Sequence, residues 1–136
     1  MGLLAAIITI AAISSFSQSI EDSSRRTLGY ISSSGTVVGS SRRTLGYIKT
    51  NGTIEDPSRR TIGFLKENGT VEDSGRRTLG YIRSDGTVEN SSRSPLGYVK
   101  SNGTVENASR RTLGHTKNMD SRHAALFFFF FFKPDN

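Results

Sequence analysis

The sequence predicts an all-β fold, a pseudo-symmetric radial array of about five β-hairpin repeats of 17 residues each. Two observations predict it. A motif that runs Arg-Arg-Thr-Leu-Gly-Tyr-Ile and then Asn-Gly-Thr recurs every 17 residues without insertions, and repetition at a fixed period identifies a repeat architecture. Each unit also carries an Asn-Gly, Asp-Gly or Ser-Gly dipeptide between two short apolar runs, a pattern typical of a hairpin turn.

Two sets of glycines carry the period. The first set falls inside the first strand of each unit and comprises Gly29, Gly46, Gly63, Gly80, Gly97 and Gly114. The second set falls in the hairpin loops and comprises Gly35, Gly52, Gly69, Gly86 and Gly103. A glycine inside a strand usually marks a bulge or a close backbone approach, so the first set predicts strands that crowd near a common axis.

The hairpin loop is predicted to contain three residues, with Thr50-Asn51-Gly52 as the example. In the first unit Ser34 replaces the asparagine, and serine is unfavourable at positive φ. A loop in which only the glycine is left-handed therefore fits every unit better than a two-residue turn does.

This loop length fixes the faces of the strands. It pairs Ile48 with Ile54, and both then share a face with Gly46 because side chains alternate along a strand. Leu45 and Tyr47 lie on the opposite face. A two-residue turn would reverse this assignment for the second strand, so the register is testable.

Neighbouring units must share a core, because one unit has too few apolar side chains to fold alone. The alternative fold is a β-solenoid with one 17-residue coil per repeat, although Asn-Gly turns favour antiparallel hairpins over parallel stacking. The sequence leaves closure open. The half-units Ile20-Glu21 and Leu113-Gly114 either pair with each other and close a sixth unit, or overlap within a five-fold ring, or flank it.

Residues 1–17 are interpreted as a secretory signal peptide. Leu3 to Ile13 is an apolar run of suitable length, and Ser15 and Ser17 are small residues at the −3 and −1 positions before Gln18. No Lys or Arg precedes the run, and a buried first strand or helix is the alternative. We therefore expect an exported protein, periplasmic, outer-membrane-associated or extracellular, with a hairpin repeat domain at 18–116 and a connector and hexa-Phe segment at 117–136.

The C-terminal segment contains six consecutive phenylalanines, Phe127 to Phe132. With the preceding Ala124 to Leu126 this apolar run is too short to span a bilayer as a helix, so no transmembrane span is expected in the mature chain. An exposed run of this kind promotes aggregation, so it must be buried against the repeats or bind an apolar partner.

Composition excludes several kinds of site. The chain has no cysteine, which excludes disulfides, thiol nucleophiles and zinc–thiolate sites. It has only two histidines, and no metal-ligand spacing or nucleophile–base pair is recognisable, so we expect no cofactor and no enzymatic activity; an enzyme with an unrecognised site is the alternative. The net charge is +6, but arginine pairs alternate with acidic pairs, whereas a nucleic-acid footprint is clustered and of one sign. No nucleic-acid partner is expected.

The succession Gly-Tyr-Ile, Asn-Gly-Thr-Val, Glu-Asp-Ser and Arg-Arg-Thr-Leu-Gly resembles the five-fold β-flower proteins, small exported bacterial proteins built of short hairpins around a pseudo-five-fold axis. The resemblance covers about Ile20 to Phe132. It implies an axial channel, which we expect the tail to thread or cap, with alternate phenylalanines packing on axis-facing Ile and Val residues. The family has no assigned activity, so the resemblance implies no site residues. The main departures are Val38-Gly39 in place of the acidic pair, Ser94-Pro95 and the uncharged leader.

The sequence therefore predicts a structural or recognition role at the cell envelope, with a carbohydrate- or polyanion-binding module as the alternative. The ligand surface of that module would consist of an aromatic row and an arginine row. The rows comprise Tyr30, Tyr47, Phe64, Tyr81 and Tyr98, and Arg25, Arg42, Arg59, Arg76, Arg93 and Arg110. Such a surface requires the two rows to lie side by side on one exposed face. The alternative role of the aromatic row is packing between repeats.

Overall fold

The computed structural model describes residues 18–132, so the predicted signal peptide lies outside the described residues. Residues 18–132 form twelve short strands followed by a helix. The strands are β1 (Ser19–Asp22), β2 (Thr27–Ile31), β3 (Thr36–Gly39), β4 (Thr44–Ile48), β5 (Thr53–Glu55), β6 (Thr61–Leu65), β7 (Thr70–Asp73), β8 (Thr78–Ile82), β9 (Thr87–Asn90), β10 (Pro95–Val99), β11 (Thr104–Asn107) and β12 (Thr112–Thr116).

Each strand pairs antiparallel with its neighbours in sequence, and β1 pairs with β12 to close a twelve-stranded barrel. Five hairpins, from β2–β3 to β10–β11, are continuous in the chain. The sixth pair is made by the chain ends, with Ile20 opposite Thr116 and Asp22 opposite Gly114. The two half-units therefore pair with each other, and the closed antiparallel order excludes the β-solenoid alternative.

The predicted three-residue loop is confirmed. Ile48 lies opposite Ile54, and the Lys49 amide donates to the Thr53 carbonyl at 2.9 Å. Gly52 is left-handed with a φ of 93°, and the other four hairpin-loop glycines have φ between 91° and 93°. The asparagine or serine before each glycine is not at positive φ, which is why Ser34 is tolerated in the first loop.

The predicted faces are also confirmed. Ile48 and Ile54 are buried and Gly46 lies with them, whereas Leu45 and Tyr47 are half-buried on the other face. Equivalent positions in every unit behave alike and form one core. The fully buried strand residues of this core are Ile20, Ile31, Val37, Ile54, Val71, Val88 and Val105.

A β-bulge interrupts each of the six strand pairs joined by the polar links. In β5–β6, for example, Ile54 lies opposite Gly63 but Glu55 lies opposite Thr61, so Ile62 has no partner. The same irregularity recurs at the corresponding leucine of the other five pairs. Bulges bend strands and increase their twist, so this periodic bulge helps the sheet to curve into a ring.

The C-terminal segment is helical. An α-helix, α1 (Ser121–Ala125), begins after Asp120, whose side chain accepts a hydrogen bond from the Arg122 amide, and continues as a π-helical segment (Leu126–Phe130). Ala124 to Phe128 and Phe132 are buried in the same cluster as the inward-facing Ile and Val residues.

Five consecutive phenylalanine rings face five of the strand glycines. A Cβ atom added at Gly80 would lie 2.9 Å from the ring of Phe130, and one added at Gly97 would lie 2.6 Å from Phe129. The full set pairs Phe128 with Gly114, Phe129 with Gly97, Phe130 with Gly80, Phe131 with Gly63 and Phe132 with Gly46. The predicted close approach at these glycines is therefore confirmed. The rings that meet them are consecutive and not alternate, because the segment is a helix and not a strand.

We expect Gly80→Ala to destabilise the protein by about 1–3 kcal/mol, the usual cost of overpacking a core. The added methyl would collide with the Phe130 ring and with the Glu89 carbonyl oxygen. Urea unfolding at equilibrium measures this change. Gly75→Ala is the matched control, because Gly75 lies in a link with open space around it and without positive φ. An equal loss of stability in both variants would contradict the packing argument.

Candidate binding surface

The aromatic row and the arginine row lie against each other on the outer face. The guanidinium carbon of Arg59 lies 3.5 Å from the ring centroid of Tyr47. The same stack forms at 3.6 Å between Arg76 and Phe64, Arg93 and Tyr81, and Arg110 and Tyr98. Arg42 lies farther from Tyr30, at 4.7 Å. Such cation–π contacts contribute about 0.5–1 kcal/mol each at exposed sites.

The arginines reach the aromatic rings because each adopts an unusual backbone conformation in the polar link. Arg59 has a φ of 71°, and its five counterparts have φ between 68° and 71°. Two hydrogen bonds define the turn, from the Arg59 amide to the Asp56 carbonyl and from the Asp56 amide to the Arg60 carbonyl, both at 2.9 Å. A left-handed residue other than glycine costs about 1–2 kcal/mol, so the arginine contacts must offset this cost six times.

A glutamate beneath each stack anchors the guanidinium. Glu55 lies opposite Tyr47 across the β4–β5 pair, is only 8% exposed, and accepts a hydrogen bond from Arg59 at 3.1 Å. Lys49 lies 3.8 Å from the other carboxylate oxygen. The same arrangement recurs at Glu72, Glu89 and Glu106, so each outer-face unit is an aromatic ring, an arginine and a paired carboxylate.

The aspartates of the links cap turns. The Asp56 carboxylate accepts hydrogen bonds from the Ser58 and Arg60 amides, both at 2.9 Å. The hydrogen bond from the Arg60 amide is the main reason that the pKa of Asp56 lies below 3.8, and Arg26 lowers the pKa of Asp22 in the same way. Asn90 and Asn107 accept the equivalent bonds, so these turns need an oxygen acceptor and not a charge.

The predicted ligand residues are thus brought together, with two exceptions in the arginine and aromatic rows. Arg25 pairs with Glu21 at 3.1 Å, and the aromatic position opposite Glu21 is occupied by His115. The first unit has Val38 where the others have glutamate, and its stack is the longest. Sequence reasoning missed the glutamates as members of this surface, although their fixed distance of four residues before each stacked arginine was a usable signal.

Comparison with known proteins identifies the family. The model of a family described as 5-fold beta-flower protein matches residues 17–133. The chain belongs to this family. No curated protein and no solved structure gives a significant match to this β-flower protein. Within residues 18–132, no helix is long and apolar enough to cross a membrane.

The loop end of the β-flower carries a half-open cavity of about 580 Å³ next to α1. Ile48 and Leu65 are among its apolar residues, and Ser32, Asn51 and His123 are among its polar ones. Burial lowers the pKa of His123 below 6.5, against the opposing effect of Asp120, so the imidazole is neutral at pH 7. None of the predicted row residues except Phe64 and Arg76 borders this cavity.

We expect Arg59→Ala to destabilise the β-flower more than Arg59→Gly, by about 1 kcal/mol or somewhat more. Both changes remove the stack on Tyr47 and the ion pair with Glu55, but only glycine relieves the cost of the left-handed backbone. Free energies of unfolding from urea titration distinguish the two variants. If alanine were tolerated as well as glycine, the left-handed conformation would not be costly here, and our account of the arginine contacts would be wrong.

Proposed function

We propose that this β-flower protein is an exported, non-enzymatic scaffold with a structural or recognition role at the cell envelope. The observation that carries the proposal is the fit of five consecutive phenylalanine rings against five strand glycines. A barrel whose interior is occupied by its own chain offers partners its outer surface and its two ends. The proposed function therefore lies on the outside of the ring.

The C-terminal helix acts in this proposal as an internal plug along the barrel axis. Glycines Gly46, Gly63, Gly80, Gly97 and Gly114 lie on five different strands distributed around the ring. A helix can face all of them at once only from the middle. Barrels of about eight strands fill their interior with strand side chains, whereas wider barrels need other filling. The burial of Ala124 to Phe128 supports this role.

The distribution of carboxylates supports a non-enzymatic role. Acid–base chemistry needs titratable groups that converge in a pocket with perturbed pKa values. The carboxylates with shifted pKa values, Asp22, Asp56 and Asp85, belong to three separate turns, and in each case a backbone hydrogen bond is the main cause. Their lowered pKa values keep them ionised, which suits turn caps better than general acids.

A second candidate function, binding of a glycan or polyanion, is favoured by the contact between the aromatic and arginine rows. In this arrangement the guanidinium of Arg59 covers a face of Tyr47. A neutral sugar would need that face for stacking, whereas the outward edge of the guanidinium suits a carboxylate, sulfate or phosphate group. The geometry therefore favours a polyanion over a neutral glycan.

Deletion of residues 124–136 tests the plug. We expect a large fall in the melting temperature, or failure to fold, because the deletion removes the buried aromatic core of the ring. Deletion of residues 133–136 alone is the control, since it keeps all six phenylalanines. Thermal unfolding followed by circular dichroism gives both values. Equal melting temperatures for the long deletion and the intact chain would refute the plug.

Export is tested by expressing the whole chain in a bacterial host and fractionating the cells. We expect the protein outside the cytoplasm with Gln18 as its first residue, because the small residues Ser15 and Ser17 precede that position. Intact-mass measurement identifies the new terminus. A variant with Ile7→Asp and Ile8→Asp, which breaks the apolar run, should stay uncleaved in the cytoplasm. Cytoplasmic retention of the unmodified chain with residues 1–17 attached would contradict the proposal.

A further inference from the structure

Closure of the barrel brings together three polar links that are far apart in sequence. The six links that carry the arginine pairs all lie at one end of the barrel, since consecutive strands are antiparallel. Because β1 pairs with both β12 and β2, the links 107–111, 22–26 and 39–43 follow one another around that end. We call their arginines the arginine crescent; they are Arg25, Arg26, Arg42, Arg43, Arg110 and Arg111.

The crescent carries the whole charge excess of this end. Its six arginines are accompanied by three acidic residues, Glu21, Asp22 and Glu106. The opposite half of the same end has five arginines, Arg59, Arg60, Arg76, Arg77 and Arg93, against five acidic residues, Glu55, Asp56, Glu72, Asp73 and Glu89. The two halves therefore have formal charges of +3 and zero. The positive charge is clustered on one side, which the linear sequence does not reveal.

The acidic residues of the crescent lie beneath its arginines. The side chains of Arg25 and Arg26 are 62% and 84% exposed, whereas Glu21 and Asp22, to which they pair, are 16% and 21% exposed. Arg110 lies over Glu106 in the same way. The groups that reach solvent are therefore mainly guanidinium groups, and a partner approaching this half meets positive charge first.

Two arginines of the crescent lack the aspartate that pairs with their counterparts. Gly39 and Asn107 stand four residues before Arg43 and Arg111, where Asp56 stands before Arg60. Neither Arg43 nor Arg111 makes an ion pair within residues 18–132, although the turn hydrogen bonds to their carbonyls are kept at 2.9 Å. The acidic partner has been lost while the turn and the exposed arginine remain.

We propose that the arginine crescent is a binding surface for an acidic polysaccharide. A guanidinium presents a planar fork of donors that matches carboxylate and sulfate groups, and several forks along an arc match the repeated charges of a polymer. The choice of a polysaccharide over other polyanions rests on the proposed export, because an exported protein meets anionic glycans outside the cytoplasm. The site itself rests only on the charges and the ring closure.

A pair of matched double variants tests the crescent. Arg43→Gln with Arg111→Gln removes two exposed crescent charges, and Arg60→Gln with Arg77→Gln removes two exposed charges from the opposite half. Each pair lowers the net charge of +6 by two, so net charge alone predicts equal effects. Binding of the whole protein to heparin and to polygalacturonate is measured by calorimetry across a series of salt concentrations, with duplex DNA of equal charge as the competitor. Circular dichroism verifies that both variants fold.

We expect the crescent variant to bind either polysaccharide about tenfold more weakly, with a salt dependence reduced by about one per arginine removed. The control variant should keep the affinity and salt dependence of the unmodified protein. Equal losses in the two variants would show binding by net charge and would overturn the crescent. Absence of binding to both polysaccharides, or a preference for DNA, would overturn the acidic polysaccharide as ligand without bearing on export, which fractionation tests separately.

Discussion

The contact between phenylalanine rings and strand glycines is the constraint on which the rest of this structure depends. Twelve strands enclose more space than the inward-facing Ile and Val side chains fill. A glycine at Gly63 or Gly80 leaves a notch in the barrel wall, and a phenyl ring from the C-terminal segment lies against it. Any larger residue there meets the ring and a carbonyl of the neighbouring strand. The spacing of 17 residues is thus maintained by packing from inside as well as by the hairpins.

The parts of the fold that local chemistry decides could be predicted from the sequence. The Asn51-Gly52 dipeptide and its Ser34 variant fixed the loop length, and the loop length fixed which side chains face the core. Closure could not be predicted, since it depends on whether Ile20 finds Thr116, a contact across nearly the whole described chain. The helical state of the phenylalanine run was also missed. A strand with no neighbouring strand leaves its backbone groups unpaired, and a helix satisfies them internally.

The outer surface followed the sequence less closely, because one backbone feature has no clear sequence signal. Asp56 and Ser58 predicted a turn, but nothing required Arg59 to be left-handed. That conformation places the guanidinium over Tyr47 and next to Glu55, and these contacts offset its cost. The aromatic row and the arginine row could therefore be listed as candidates, whereas the carboxylate that links them emerged only from the strand register.

Symmetry and function make different demands on such a ring. Packing requires every unit to be alike, and the glycines, the inward-facing residues and the turn hydrogen bonds comply. The departures fall on the outside, where they cost little: Val38 and Gly39 replace an acidic pair, and Asn107 replaces an aspartate while keeping its acceptor oxygen. About 70 residues separate these substitutions in the chain, but ring closure leaves one link between them. A closed repeat can thus acquire a one-sided surface by changing only exposed positions in its first and last units.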